Sequence, residues 1–554
     1  MPPIPFPYTS SFESQNNPME CKSLHLSKFS PFFAHSRFVP MAEGENFLQK
    51  SIQEIKATVE SVESEIIRLR RSLNELEDYR GQLYEDITRH QAILSPVHKL
   101  PPEILAEIFL HAANGSSVVW PRGNGSDVEM PLLLGRICSY WRTVTHALPL
   151  LWSKIRLDIP PGLENRSAGS FKAASTAVHD VVQMCLSRSG NKLLSFSITA
   201  DGPPELIEPI LQAFVGHSPR WRDVSVDLAQ LSRYHQILLL AKNNVPKLYR
   251  LHLGTSIKDT LAPDTLDAFE NSPSLKELSI SHLTRPFHIL CVPWAQLTHL
   301  TSKMSTFREG EFSEILRHAT SLVVFSSEGE RILEVTSSQP VLLRHLEKLA
   351  IVNKGSYITK SFQFFTAPNL KELYLHAITP FNPEQTIAML ARSNCKLTHL
   401  TIHSSQEVDT VWEENFGIAR LLGYVPSLVH LHLIVLKSGD DLIHRLGLHS
   451  NVFPQILPNL ECFILEDGFC ISAFSLAEVL RSRINNPSST VVMDKQAVPH
   501  PNPEPDHDTR LRVGGLRYVR LKLSLPPPPK FPELDALKAF ANYHGVDIAI
   551  HTSS

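Results

Sequence analysis

Pro426-Ser427-Leu428-Val429-His430-Leu431-His432-Leu433 carries the pattern on which the fold of this chain turns. Leucine stands at the third, sixth and eighth places. The last two are two residues apart, so in extended backbone they point to one face of a short strand. The first sits on the turn that leads into it. The same spacing recurs at Leu193/Phe196/Ile198, Trp221/Val224/Val226, Leu248/Leu251/Leu253, Leu275/Leu278/Ile280, Leu346/Leu349/Ile351, Leu370/Leu373/Leu375, Leu397/Leu400/Ile402 and Leu460/Phe463/Leu465. Degenerate copies sit at Leu297/Leu300 and Leu322/Phe325, and a last at Val513/Leu516/Val519 running into Leu521. Spacings cluster from 22 to 32 residues, and a proline often stands two residues ahead, as at Pro246, Pro273, Pro368, Pro426 and Pro458.

Helix-like pieces lie between copies: Leu231–Asn243, Thr265–Asn271, Phe312–His318, Pro383–Ser393, Asn415–Leu422 and Phe474–Arg483. A strand and a helix in each unit of about 20–29 residues resemble the leucine-rich repeat, which implies a curved solenoid with a parallel strand face. The units depart from the standard repeat: their length varies, and the asparagine or cysteine after the third leucine is missing. A non-solenoid α/β domain whose parallel strands share this pattern is the alternative. The ladder domain is placed at 159–525. A polar, proline-rich insertion at 485–510 interrupts it, expected to be a flexible loop. A helix near Pro532–Tyr543 and a strand Val546–His551 then form a terminal cap, 526–554.

Upstream, residues 1–45 mix Pro, Ser and Phe with few charges, a composition expected to be disordered. From 46 to 94, apolar residues recur at Leu48, Ile52, Ile55, Val59, Val62, Ile66, Leu69, Leu73, Leu76, Leu83, Ile87 and Leu94. The steps alternate four and three, and Arg80 and His90 fall on the same lattice. About six heptads of 3.5-residue period predict a coiled-coil helix. Ile52, Val59 and Ile66 at one seam position, with Leu69, Leu76 and Leu83 at the other, suit a parallel dimer. The same helix could instead pack on its own chain, so a homodimer through 46–94 is one of two readings.

Between rod and ladder lies a small helical module, 95–158. Pro96 ends the long helix because it lacks an N–H and restricts the residue before it. Leu100-Pro101-Pro102-Glu103 starts a new one, since prolines suit the first turn and acids favour the positive end. Ile104, Leu105, Ile108, Phe109 and Ala112 form a broad apolar stripe. Asn114-Gly115 stops this helix, and a polar loop of about fifteen residues follows, expected to be exposed. A second helix is expected near Pro131–His146, with Leu133, Ile137, Trp141 and Val144 on one face. Pro149-Leu150-Leu151-Trp152 makes a turn, and Ile155, Leu157 and Ile159 alternate as a strand.

Here the sequence resembles the F-box family, in particular the fungal F-box proteins in which a coiled coil precedes the motif. The matching residues are Leu100-Pro101-Pro102-Glu103-Ile104-Leu105, Ile108-Phe109, Ile137-Cys138-x-x-Trp141-Arg142 and Leu151-Trp152. The resemblance implies a module that binds the Skp-type adaptor of a cullin–RING ubiquitin ligase. It assigns adaptor contact to Leu100, Pro101, Pro102, Glu103, Ile104, Leu105, Ile108, Phe109 and Trp141. The chain would then be a non-catalytic substrate receptor, in cytoplasm or nucleus, presenting an unknown target protein through the ladder. The same parts also suit a coiled-coil scaffold with no ubiquitin role, and the alternative for the apolar stripe is that it packs on residues 160–240.

The remaining chemistry is mostly exclusion. A chain of 554 residues exceeds one domain. Net charge of −3 gives no reason to expect nucleic acid or an anionic membrane. Seven scattered cysteines without C-x-x-C suggest a reducing compartment and no zinc ribbon. The 26 histidines include many beside the strand leucines, where the repeat itself places them, and no H-E-x-x-H occurs. No hydrolase, dinucleotide or P-loop motif is present, so neither catalytic residue nor cofactor is nominated. No apolar run reaches the roughly 18–20 residues of a membrane span.

Overall fold

The computed structural model describes residues 42–94, 96–113, 118–120, 130–159, 162, 168–255, 265–307, 311–328, 331–332, 340–353, 362, 365–377, 383–404, 411–435, 440–447, 456–466, 472–485, 516–523 and 532–552. The expected disordered start, apart from its last few residues, and nearly all of the 485–510 insertion lie outside these. The chain divides into two compact units between Leu100 and Pro101.

The first unit is helix α1, Ala42–Leu94, followed by a 3-10 turn at Pro96–Lys99. Its 53 residues are rich in Glu, Leu, Arg and Ile and hold no proline, and at about 1.5 Å per residue they span roughly 80 Å. Ion pairs of helical spacing join Glu65 to Arg68 (2.6 Å) and Arg89 to Glu85 (3.0 Å) and Asp86 (3.1 Å). The seam residues stand in solvent, from 37% exposed at Val62 to 62% at Leu76.

The second unit is built on one fifteen-stranded parallel sheet whose strands follow in chain order. They are β1 (Val118–Trp120), β2 (Lys154–Ile159), β3 (Leu194–Ala200), β4 (Trp221–Leu228), β5 (Arg250–Thr255), β6 (Glu277–Ser281), β7 (His299–Lys303), β8 (Val324–Glu328), β9 (Lys348–Asn353), β10 (Glu372–Ala377), β11 (His399–Ser404), β12 (His430–Val435), β13 (Cys462–Glu466), β14 (Tyr518–Leu523) and β15 (Asp547–Thr552). Two further parallel pairs of two-residue strands lie outside it. The paired leucines of each copy align across neighbours, as Leu373 with Leu400 and Leu431, and Leu375 with Ile402 and Leu433, and all are buried. This inward row is the core.

Several boundaries differ from the sequence reading. The expected loop after Asn114 contains β1, because Val118, Val119 and Trp120 are strand formers that pair with Ile155, Arg156 and Leu157. A boundary at 158 separates nothing, since β2 belongs to the sheet. The degenerate copies are complete strands: Ser302 and Ser327 take the third inward place and are buried there. The copy placed at Val513/Leu516/Val519 is Leu516/Val519/Leu521, because Val519 aligns with Phe463 and Leu521 with Leu465. Thr265–Asn271 is turn with one bridge, Leu266 to Leu290, being too short to meet the cost of helix nucleation without support. The cap strand is the last strand of the sheet itself. Helices α5 (Ala168–Arg188) and α6 (Pro204–Val215) fall outside the helical pieces expected from the sequence.

The turns ahead of the strands form a ladder of their own. Backbone bonds run from Tyr249 N–H to Arg222 O, Lys276 to Tyr249, Thr298 to Lys276, Val323 to Thr298, Glu347 to Val323 and Lys371 to Glu347. The series continues through Thr398, Val429, Glu461 and Arg517 to Asp547. Side chains that follow a proline reinforce it: Ser274 Oγ donates to Pro246 O (2.8 Å), Asn369 Nδ2 to Arg344 O (2.7 Å), Ser427 Oγ to Leu397 O (2.7 Å) and Asn459 Nδ2 to Pro426 O (3.2 Å).

Candidate functional site

The module that bears the expected docking residues consists of α2 (Pro102–Ala112), α3 (Met130–Ile137) and α4 (Ser139–His146). Pro101 holds the N-cap position with φ −58° and ψ 151°, and Pro102 opens the helix, where its missing N–H has no intrahelical role. The single helix expected at Pro131–His146 is two. Cys138 is extended between them (φ −156°, ψ 170°), and its Sγ accepts from the Trp141 N–H at 3.4 Å, capping α4. Arg142 Nε donates back to Gly135 O at 2.8 Å and ties the two helices.

The stripe on α2 divides. Leu105 and Phe109 are 0% and 1% exposed, and the Phe109 ring lies 4.8 Å from that of Trp141. They form the module's interior, so the expectation that they touch a partner directly is corrected: they hold α2 on α4. Trp141 is half-buried, and its Nε1 is buried without a hydrogen-bond partner. Ile104 and Ile108, by contrast, are 49% and 44% exposed, with Pro101, Pro102 and Glu103 also in solvent. Leu100, half-buried, belongs to the first unit. Leu133 and Ile137 on α3 and Leu150 on the following turn are exposed apolar residues outside the expected contact set. Of the three, only Ile137 lies among the residues matched to the F-box family, and Leu133 shares its expected helix face. Below them, Trp152 is buried, donates from Nε1 to Thr145 O (2.9 Å) and carries Arg188 over its ring.

The second candidate surface is the open face of the sheet, where three rows of side chains cross the strands. The middle row starts Arg156, Ser197, Ser225, His252, Ser279, Thr301, Ser326, and then changes to Ala350, Tyr374, Thr401, His432, Ile464, Arg520. The small hydroxyl residues leave a groove of about 490 Å³ over β2–β8, rimmed by Lys154, Asp223, Arg250 and Glu277. Arg250 bonds Glu277 (2.6 Å) and stands 3.9 Å from Asp223, whose other oxygen accepts from Ser195 Oγ (2.8 Å). Within the groove, His252 shares a hydrogen bond with Ser279 Oγ (2.9 Å), and burial lowers its pKa against the pull of Asp227. Gly254 stands close beside it, where a Cβ would crowd Asp227 Cγ at 3.0 Å and His252 Nε2 at 3.2 Å, so a larger residue would have to displace these side chains.

Past the groove the face is rich in histidine. The rings of His376 and His403 stack at 3.8 Å, and those of His399 and His430 at 4.1 Å. His432 faces Glu466 at 3.4 Å. Among the described residues, no group of three or more His, Cys, Asp or Glu side chains could hold a metal ion. None of the described helices is long and apolar enough to cross a membrane.

No family model matches this chain, and no curated protein does. The described residues offer two surfaces: apolar side chains presented on α2 and α3, and a polar groove on the sheet.

Proposed function

We propose that this chain is a substrate receptor of a cullin–RING ubiquitin ligase. It docks a Skp-type adaptor through the module beginning at Leu100 and carries a target protein on the open face of a leucine-rich-repeat-like solenoid. The observation that carries the reading is the run Leu100-Pro101-Pro102-Glu103-Ile104-Leu105 with Ile104 and Ile108 exposed on α2. Two neighbouring isoleucines left in water on a short helix are what a partner would bury, and their chemistry fits the F-box resemblance. Leu105, Phe109 and Trp141 hold that helix in place. The groove over β2–β8 is where a target segment would sit, with no catalytic role for the chain and transfer of ubiquitin left to partners. Cytoplasm or nucleus suits that role.

Capture of the full chain with a Skp-type adaptor tests it. Ile104→Asp and Ile108→Asp are expected to weaken adaptor binding by about tenfold or more each, because each leaves a charge at an apolar contact. As both sites are already exposed, the urea midpoint should not move. Retention of the adaptor by both variants would sink the assignment.

A further inference from the structure

We propose that α1 pairs with α1 of a second copy of this chain, as a parallel, in-register, two-stranded coiled coil. From Ile52 to Leu94 the seam alternates steps of three and four without a break, with only Arg80 and His90 polar. The ten other seam residues from Ile52 to Ile87 are between 37% and 62% exposed in the single chain, an apolar strip along most of the helix. A strip of 3.5-residue period is the geometry that a second helix covers by knobs-into-holes packing. The a positions carry Ile52, Val59, Ile66, Leu73, Arg80 and Ile87, and the d positions Ile55, Val62, Leu69, Leu76, Leu83 and His90. Ile66 at a with Leu69 at d is the combination that favours two strands over three, and the polar Arg80 at an a position further selects oligomer state.

Charge fixes the orientation. In a parallel, in-register pair, the residue before each a position faces the residue five places later on the other helix. That sets Glu65 against Arg70, Tyr79 against Tyr84, Thr58 against Glu63, Ser72 against Glu77 and Asp86 against Gln91. One pair attracts, one is aromatic, and no like charges meet. Full antiparallel overlap, with Leu73 on Leu69, would set Arg70 against Arg70 and Glu63 against Glu77. Glu65 already bonds Arg68 on its own helix at 2.6 Å, so Arg70 of the second copy would join an existing pair. Arg80, 4.0 Å from Glu77, would lie among the Tyr79 and Tyr84 rings of the pair, which can accept its cation. Any shift of register would bury it against Leu73 or Ile87, so it costs stability and selects alignment.

Light scattering of the full chain tests the pairing. The expected mass is twice 62.2 kDa, and Leu73→Asp should return the single-chain mass without moving the melting of the second unit. Arg70→Glu should weaken the dimer about tenfold, since attraction becomes repulsion on both sides of the seam, and Glu65→Arg added to it should restore binding. Leu76→Cys should cross-link to itself on mild oxidation, as facing d positions lie within the roughly 6 Å that a disulfide spans. A single-chain or trimeric mass, or a dimer that survives Leu73→Asp, overturns the proposal. A dimer without the charge-swap rescue or the cross-link overturns its orientation.

Discussion

Arg483 shows how one residue can hold a turn of this sheet together. It is 4% exposed and has three backbone carbonyls as acceptors: Leu446 O, Ile456 O at 2.7 Å and Leu457 O at 2.9 Å. Burial lowers its pKa to about 10, so it stays charged at neutral pH. Leu457 is itself buried in the left-handed region, φ 54°, a conformation costing a branched side chain of the order of 1 kcal/mol. The guanidinium therefore holds a strained turn, and Arg392 does similar work on Phe362 O and Phe365 O. Arg483→Gln is expected to lose about 3 kcal/mol, because buried carbonyls lose their donors, an effect that outweighs relief of the buried charge. Urea unfolding measures it, and a loss under about 0.5 kcal/mol would show the carbonyls find other donors. Arg483→Lys should recover only part, having no planar fork.

At the scale of elements, the strands and several helices are legible, as α1 and the helices Glu384–Ser393, Ala473–Asn485 and Pro532–Tyr543 show, while α5, α6 and the break between α3 and α4 are not. Period-two leucines after a proline mark a strand by themselves, because one buried face forces them. Where the inward residue is Ser302 or Ser327, that signal fades and only the structure restores it. Helix α5 mixes Ala, Ser and Thr without a clean stripe, and the break at Cys138 depends on a cap that spacing cannot show. The stripe on α2 was visible, but four apolar residues wrap more than one face, so its division into Leu105/Phe109 inside and Ile104/Ile108 outside was not. The missing asparagine ladder is replaced by the side chains after the prolines. Asn369→Ala and Asn459→Ala should each cost about 1 kcal/mol. As their turns lie far apart, the double variant should sum within about 0.5 kcal/mol. Strong coupling in that cycle would contradict a chain of nearest-neighbour repeats.

Over the whole second unit, the repeat fixes where histidine stands but not its chemistry, since stacking and burial depend on which strands become neighbours. Burial lowers the pKa of His146, His217, His252, His399 and His432. Arg188 and Arg142 add to it at His146, Arg220 at His217 and His430 at His399. Asp227 and Glu466 oppose it at His252 and His432 without reversing it. Unfolded, each would titrate near about 6.5. Below that pH the unfolded chain binds protons that the folded one refuses, so stability must fall as pH drops and level off once the folded imidazoles also protonate. The urea midpoint should therefore decline between about pH 7.5 and pH 5.5, above the range where carboxylates titrate. His399→Gln and His432→Gln together should flatten the slope, since they remove two of the five groups. A midpoint that holds or rises on acidification would mean that these rings gain more from their carboxylate neighbours, Glu372 and Glu466, than burial costs them.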